Sequence, residues 1–210
     1  MRSRRLVVIG AAASIAAASC YPNQDVTNVS DFASVTTLVD SQAPFFAART
    51  FALPDTVIHV SIDGAPTVTG HDGDAQILAR IRAGFIAFGW REITDVRARG
   101  ADVVILTSVL EREQTGVAYA GWGGSWGYWP GWPAGYTGYG WGYPGTVEFT
   151  YEAGTLLITM LDLVHGDAST KRVPLLWAAG INGVLTSSSL EGALNGITQA
   201  FVQSPYLERQ

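Results

Sequence analysis

The sequence predicts an α+β fold: an antiparallel sheet, two amphipathic helices packed on one of its faces, and one long Gly/Trp/Tyr-rich hairpin loop. Three observations predict it. Short β-rich runs bounded by Gly, Pro and Asp recur along the chain. Two stretches carry apolar residues at helical rather than strand spacing. Residues 119–145 hold ten Gly, five Trp, five Tyr and three Pro, and no charged residue lies between Glu113 and Glu148. So much glycine, broken by Pro130, Pro133 and Pro144, opposes a regular element, so the segment reads as an oversized aromatic loop between two strands.

The chain begins with an address. Arg2, Arg4 and Arg5 make a basic start, and residues 6–18 are thirteen apolar or small residues in a row, short of the roughly 20 that a spanning helix needs. The segment reads as an export signal, with the Sec and twin-arginine routes both open. The single cysteine, Cys20, follows Ala17-Ala18-Ser19. This resembles the lipobox of bacterial lipoproteins, in which the chain is cut before the cysteine and its sulfur carries a diacylglycerol, although Ala17 stands where Leu is usual. An ordinary signal peptide followed by a free thiol is the alternative. Tyr21 rather than Asp follows the cysteine, which by the sorting rule of such lipoproteins implies the periplasmic face of the outer membrane. The expected organisation is a signal peptide over 1–19, a polar tether over 20–31, and a single domain over 32–210 with 119–145 inserted in a hairpin.

Without residues 1–19 the chain keeps ten basic against 18 acidic residues, a net charge of about −8. That surface disfavours nucleic acid as a partner. One cysteine supports no disulfide framework, so stability must come from packing.

Residues 34–39 and 48–53 read as short strands. Residues 57–62 alternate but are soon interrupted by Gly64 and Pro66, and read as a loop with room for an edge strand. The first helix carries Ile77, Ile81, Phe85 and Phe88 on one face, with Asp72 or Asp74 as its cap and Gly89 as its stop. Residues 102–110 are nearly all apolar and read as a central strand. Val147, Phe149 and Tyr151 alternate with polar residues in the strand that returns from the aromatic segment. Gly154 bends or bulges this strand before residues 155–163 complete it. A turn at His165-Gly166-Asp167 leads to a strand over 173–180. Ser188-x-x-Glu191 is a capping box that opens a second helix, with Leu190, Leu194, Ile197 and Phe201 on one face and Pro205 beyond its end. Phe85 and Phe201 are expected against Leu157, Thr159 or Leu161, on whichever face of the sheet is buried.

Several of these elements carry a shared pattern. Phe46-x-x-Arg49-Thr50-Phe51-Ala52-Leu53-Pro54, Phe88-Gly89-Trp90 and Gly100-Ala101-Asp102-Val103 are followed by the Gly/Trp/Tyr-rich segment. Then come Glu152-x-Gly154-Thr155-Leu156, Asp162, Leu175-Leu176-Trp177-x-x-Gly180 and a close at Phe201 to Pro205. The set resembles the bacterial lipoprotein family called domain of unknown function 4136 and covers most of the chain beyond the leader. Arg49 stands where that family commonly has Lys, and Ala153 departs from its Glu-Gly-Thr-Leu element. No active site is assigned to the family, so the resemblance implies a fold and an envelope setting, and no activity.

Constellations that would carry chemistry are sparse. His59, His71 and His165 fall in separate turns, without HExxH spacing, so no zinc site is expected. His71-Asp72-Gly73-Asp74 has the look of a calcium loop but lacks the closing Glu. No nucleophile elbow or phosphate-cradling motif occurs. The glycines of 121–127 include a GxG, but tryptophans surround it and no helix follows, against a dinucleotide site. Glu111 and Glu113 can oppose Glu148 and Glu152 as a glycosidase pair would, or simply face solvent. The expectation is no enzyme, no cofactor and no metal. Trp122, Trp126, Trp129, Trp132 and Trp141 remain the candidate contact residues, because Trp favours surfaces where one edge is apolar and the other wet. They would engage another envelope protein or the membrane surface, which the lipid anchor already meets. Two alternatives stand: a glycan-binding module that stacks sugars on the indoles, or a segment that folds back as a second small core over the sheet.

Overall fold

The computed structural model describes residues 34–40, 47–60, 66–67, 71–95, 100–110, 114–116, 138–141, 149–151, 154–166, 169, 171–183 and 190–209. The expected signal peptide, the tether, Cys20 and the greater part of the 119–145 segment lie outside them.

In chain order the elements are β1 (Val35–Val39), β2 (Thr50–Ala52), β3 (Ile58–Val60), β4 (Pro66–Thr67), α1 (Asp74–Ala87) and β5 (Arg91–Glu92). There follow β6 (Val103–Leu110), β7 (Gln114–Gly116), β8 (Gly138–Trp141), β9 (Phe149–Tyr151), β10 (Thr155–Asp162) and β11 (Arg172–Ile181). The chain closes with α2 (Leu190–Val202) and a 3-10 turn at Pro205–Leu207. The main sheet runs β1-β11-β10-β6-β2-β5, with β3 also on β6 and β8 also on β11. Strands β7 and β9 form a separate two-stranded ladder.

The α+β class holds, but the sheet is mixed rather than antiparallel. β1, β11, β10 and β6 pair antiparallel, whereas β2 and β3 lie parallel to β6, β5 parallel to β2, and β8 parallel to β11. Alternating apolar residues specify which face of a strand is buried, not the direction of its neighbour. Parallel pairs need a long crossover, and between β2 and β6 the chain passes through α1. The stretch over 57–62, read as a loop with room for an edge strand, holds β3, paired with the second half of β6 from Ile58↔Ser108 to Val60↔Leu110 and on its other side with β4, so it is not an edge.

Every residue of β6 and β10 is buried, so both faces of the sheet centre are covered. On one face Val103, Ile105, Val109, Leu156, Ile158 and Met160 form a core with Ile77, Ile81 and Phe85 of α1 and Ile197 and Phe201 of α2. Strand alternation puts Leu157, Thr159 and Leu161 on the other side, so the helices meet Leu156, Ile158 and Met160 instead of the residues first expected. A bulge between Met160 and Leu161 leaves Leu176 without an opposite residue, and both Leu176 and Trp177 join the helix-side core. The opposite face gathers Ala52, Ile58, Val104, Leu106, Leu110, Leu157, Leu161, Val173 and Leu175 into a second buried cluster. No residue of α1 or α2 belongs to it.

Helix α1 ends as its sequence predicts, at Gly89 with φ +82°. Its start differs. The N-cap is Gly73 in the left-handed region, with no side-chain cap. Asp74 is the first helical residue, and its carboxylate accepts from the backbone N–H of His71 at 2.9 Å. Ser188 of the expected capping box lies outside the described residues, while Glu191 sits in the first turn of α2. Glycine permits two close approaches: a Cβ on Gly84 of α1 would fall on the Phe201 ring of α2, and one on Gly196 of α2 would fall on Ile181 of β11.

Candidate functional site

The aromatic segment is carried on a two-part stem. β6 and β10 pair as far as Leu110↔Thr155, and β7 and β9 continue with Gln114↔Tyr151, Thr115↔Thr150 and Gly116↔Phe149. Gly154 sits at the junction with φ +82°, and its N–H donates to the Leu110 carbonyl at 2.7 Å. A left-handed residue at this point needs glycine, which accounts for the bend expected there.

Of the candidate contact residues, Trp141 is placed: it ends β8, which lies parallel to the start of β11 with Trp141 opposite Leu175. The 119–145 stretch therefore rejoins the main sheet before the returning strand begins, a pairing that its glycine-rich sequence does not announce. Trp122, Trp126, Trp129 and Trp132 lie outside the described residues, as do Glu111, Glu113, Glu148, Glu152 and the lipid-attachment candidate Cys20.

Among the motif residues, the acids act as ties. The Asp102 carboxylate accepts from the Arg49 N–H at 2.7 Å, the Thr50 N–H at 2.9 Å and the Thr50 hydroxyl at 2.8 Å. It thereby clamps β2 to the start of β6. Burial pushes the carboxyl up, but the bonds donated by Arg49 and Thr50, with the charge of Arg91, outweigh it and hold Asp102 below its ordinary value. Asp162 closes the turn after β10, accepting from the N–H groups of Val164 and His165 at 2.8 and 3.0 Å and lying 2.8 Å from His165 Nδ1. Both acids border a cavity of about 90 Å³ together with His165. One oxygen of each, Asp102 Oδ2 and Asp162 Oδ1, is engaged by backbone donors, so these groups fix turns and strands.

The C-terminal segment ties down the indoles. Trp90 Nε1 donates to the Leu207 carbonyl at 2.8 Å, and Trp177 Nε1 donates to Ser204 Oγ at 3.0 Å. The Arg209 guanidinium lies 3.9 Å from the centre of the Trp90 ring. Burial, and then the nearby Arg49 charge, pull it down to about 10. Phe88-Gly89-Trp90 belongs to the same clamp, since the Arg209 N–H donates to the Phe88 carbonyl at 2.7 Å.

The histidines give a result that spacing did not anticipate. His59 from β3 and His71 before α1 bring their ring centres to 3.7 Å, and His59 Nε2 lies 3.1 Å from Asp74 Oδ1. His165 stays apart with Asp162. The signal in the sequence was His71-x-x-Asp74 at a helix start. What it lacked was the pairing of β3 beside β6, which carries His59 to the same place.

No described helix is long and apolar enough to cross a membrane. No curated protein matches the chain. Among solved structures, a DUF4136 family protein from Bacteroides thetaiotaomicron VPI-5482 is 27% identical with a TM-score of 0.62, over 85% of this chain and 98% of that one. The PelC dodecamer from Paraburkholderia phytofirmans aligns over 84% of this chain and 99% of that one, at 12% identity and a TM-score of 0.38. A PDZ domain protein from Parabacteroides distasonis ATCC 8503 aligns over 83% and 36%, at 15% identity and a TM-score of 0.40. The last two likenesses are too distant to argue from. The family model described as Domain of unknown function (DUF4136) matches residues 35–206. On that match the chain belongs to the DUF4136 family.

Proposed function

We propose that this protein is a non-enzymatic lipoprotein of the cell envelope, anchored through Cys20 at the periplasmic face of the outer membrane, whose aromatic segment contacts another envelope component. The observation that carries the reading is an uncharged stretch with ten Trp and Tyr residues set between the two arms of a stem built from the sheet's own central strands. An exposed apolar patch of a few hundred Å² marks a contact site, and this stretch has the residues to make one. Trp and Tyr suit a boundary where one edge is dry and the other wet. Two acyl chains with an acylated amine anchor stably where one chain would be marginal.

Stacking of glycan rings on the same indoles is weaker, because stacking needs rings held flat and a glycine-rich segment holds them poorly. A different second reading has an observation in its favour. The sheet face away from α1 and α2 is buried without a described helix upon it, so the segment can serve as its cover. Two variants of the full chain test these readings. Cys20→Ala is expected to move the protein from the membrane fraction to the soluble periplasm; normal processing and retention in the membrane would overturn the anchor. A deletion of 120–136, which spares β8, is expected to fold and to lose cross-linked envelope partners. If it fails to fold, the segment is a cover rather than a contact surface.

A further inference from the structure

We propose that His59, His71 and Asp74 form a binding site for a divalent transition-metal ion, with Zn²⁺ as the best-fitting class. This is independent of the envelope reading. The three side chains come from strand β3, which lies between β4 and β6, from the turn before α1, and from the first residue of α1. One ligand atom from each lies within 4.8 Å of the other two.

The geometry is made by the backbone. Gly73, at φ +99°, turns the chain into the helix in a conformation that side-chain-bearing residues rarely adopt. The Asp74 N–H donates to the His71 carbonyl at 3.2 Å, and the Asp74 carboxylate accepts from the His71 N–H at 2.9 Å. This closed turn fixes His71 and Asp74 relative to each other. His59 enters from the sheet side, where β3 pairs with β6 at His59↔Val109. It is 7% exposed, so its ring is held by its surroundings, and Nε2 faces both Asp74 oxygens at 3.1 and 3.3 Å. His71 is exposed and its ring lies tilted by 42° against that of His59.

The chemistry of the set is specific. Two imidazole nitrogens and one carboxylate oxygen are the borderline ligands that suit Zn²⁺, and carboxylate-only sites that suit Ca²⁺ or Mg²⁺ look different. A tetrahedral Zn²⁺ with bonds of about 2.0–2.1 Å holds neighbouring ligand atoms about 3.3 Å apart. The His59–Asp74 pair already meets that spacing, and rotation of the exposed His71 ring supplies the third ligand with little rearrangement of packed groups. Helix N-termini repel cations through their partial positive charge, so two neutral imidazoles and one carboxylate should give micromolar rather than tighter affinity. Three protein ligands leave a coordination position open on the solvent side, beside His71, for water or for a donor from another molecule. With the ion bound, β3 and the start of α1 would be joined by a cross-link stronger than the His59–Asp74 contact.

The test uses the full chain, stripped of metal with a chelator, dialysed, and titrated with ZnCl₂ by calorimetry and with CoCl₂ by visible absorption. One saturating equivalent of Zn²⁺, intense visible bands of four-coordinate Co²⁺, and a rise in the thermal midpoint on adding Zn²⁺ are expected. His71→Ala and Asp74→Asn should each weaken binding at least tenfold, while His165→Ala should leave it unchanged. His71 is on the surface, so His71→Ala should keep the native circular dichroism and metal-free midpoint, and its loss of binding cannot be ascribed to unfolding. Absence of saturable binding overturns the site, and so does binding that survives His71→Ala intact.

Discussion

Tryptophan stands in two sequence settings in this chain. Trp90 and Trp177 are 3% and 0% exposed, both meet Phe85 edge-on at 87°, and each donates its indole N–H to an oxygen of the C-terminal segment. The five tryptophans of 119–145 share their segment with ten glycines and three prolines and no charge. The first four could line one side only if the stretch were helical, which its glycines and Pro130 oppose. The difference teaches that aromatic content alone does not specify where a tryptophan packs. A core tryptophan needs packed neighbours to aim the ring and a polar partner for the N–H. Trp177 finds them on β11, and Trp90 in the short link between α1 and β5.

The largest effect should come from the centre of the helix-side cluster. Phe85 is fully buried and its ring meets Phe51, Trp90, Trp177 and Phe201 at centroid distances of 5.1–6.2 Å. Phe85→Ala should cost about 3–5 kcal/mol, a large share of the roughly 5–15 kcal/mol that holds a domain together. Urea unfolding measures it. A loss below about 1 kcal/mol would mean that the aromatic cluster relaxes freely, and the contrast with the glycine-rich segment would collapse.

A smaller effect is expected at Gly84. Alanine there would raise helix propensity by about 1 kcal/mol, yet the Phe201 ring occupies the space its Cβ needs. Overpacking should win, for a net loss of about 1–2 kcal/mol. The loss should shrink in a Phe201→Leu background. If Gly84→Ala instead raises the thermal midpoint, the two helices do not meet as closely as the Gly84–Phe201 contact requires.

That contact also marks where sequence reading ended. Helical spacing located Ile77, Ile81, Phe85, Ile197 and Phe201 correctly, because an amphipathic period specifies a face from one element alone. It was silent on Gly84 and Gly196, which look like helix weaknesses until the opposing ring or Ile181 is seen. Apolar runs located β1, β2, β6, β10 and β11 to within a residue or two, but not the parallel partners of β6 and β11. Direction depends on how the chain crosses over, and no side-chain pattern encodes it. The same blindness separated His59 from His71. Sequence distance suggested two unrelated turns, whereas the pairing of Ile58 with Ser108 carries one to the other. Motifs such as Arg49-Thr50 and Ala101-Asp102 were recognisable as a family pattern, and their role as a strand clamp emerged only from the hydrogen bonds.

The clamp offers an intermediate effect with a pH signature. Asp102 is partly exposed, so the three bonds it accepts are discounted for solvent, and Asp102→Asn should cost roughly 1–2 kcal/mol at neutral pH. The folded-state carboxyl is held below its ordinary value of 3.8. Its contribution is therefore fully present above that value and is lost as pH falls through the lower folded-state value. The gap between wild type and Asp102→Asn should be constant from pH 7 to about 5 and narrow at more acid pH. A gap that widens on acidification would show that the carboxylate destabilises β2 against β6.

The smallest effect on stability, and the sharpest on contact, is expected where the aromatic residues have no periodic element behind them. Replacing Trp126, Trp129 and Trp132 together with Ser should change the unfolding free energy by no more than about 0.5 kcal/mol, the range of ordinary surface substitutions. The same replacement in a packed core would be ruinous, so the triple variant separates the contact and cover readings by several kcal/mol. Fluorescence adds an independent measurement. Trp90 and Trp177 should resist quenching by acrylamide in the wild type, leaving a quenchable fraction that the triple variant largely removes. Adding vesicles or a cross-linked envelope partner should shield that fraction. If the wild-type emission is shielded throughout and the triple variant unfolds, the segment packs on the helix-free face beside Val173 and Leu175, and the two populations of tryptophan are one core.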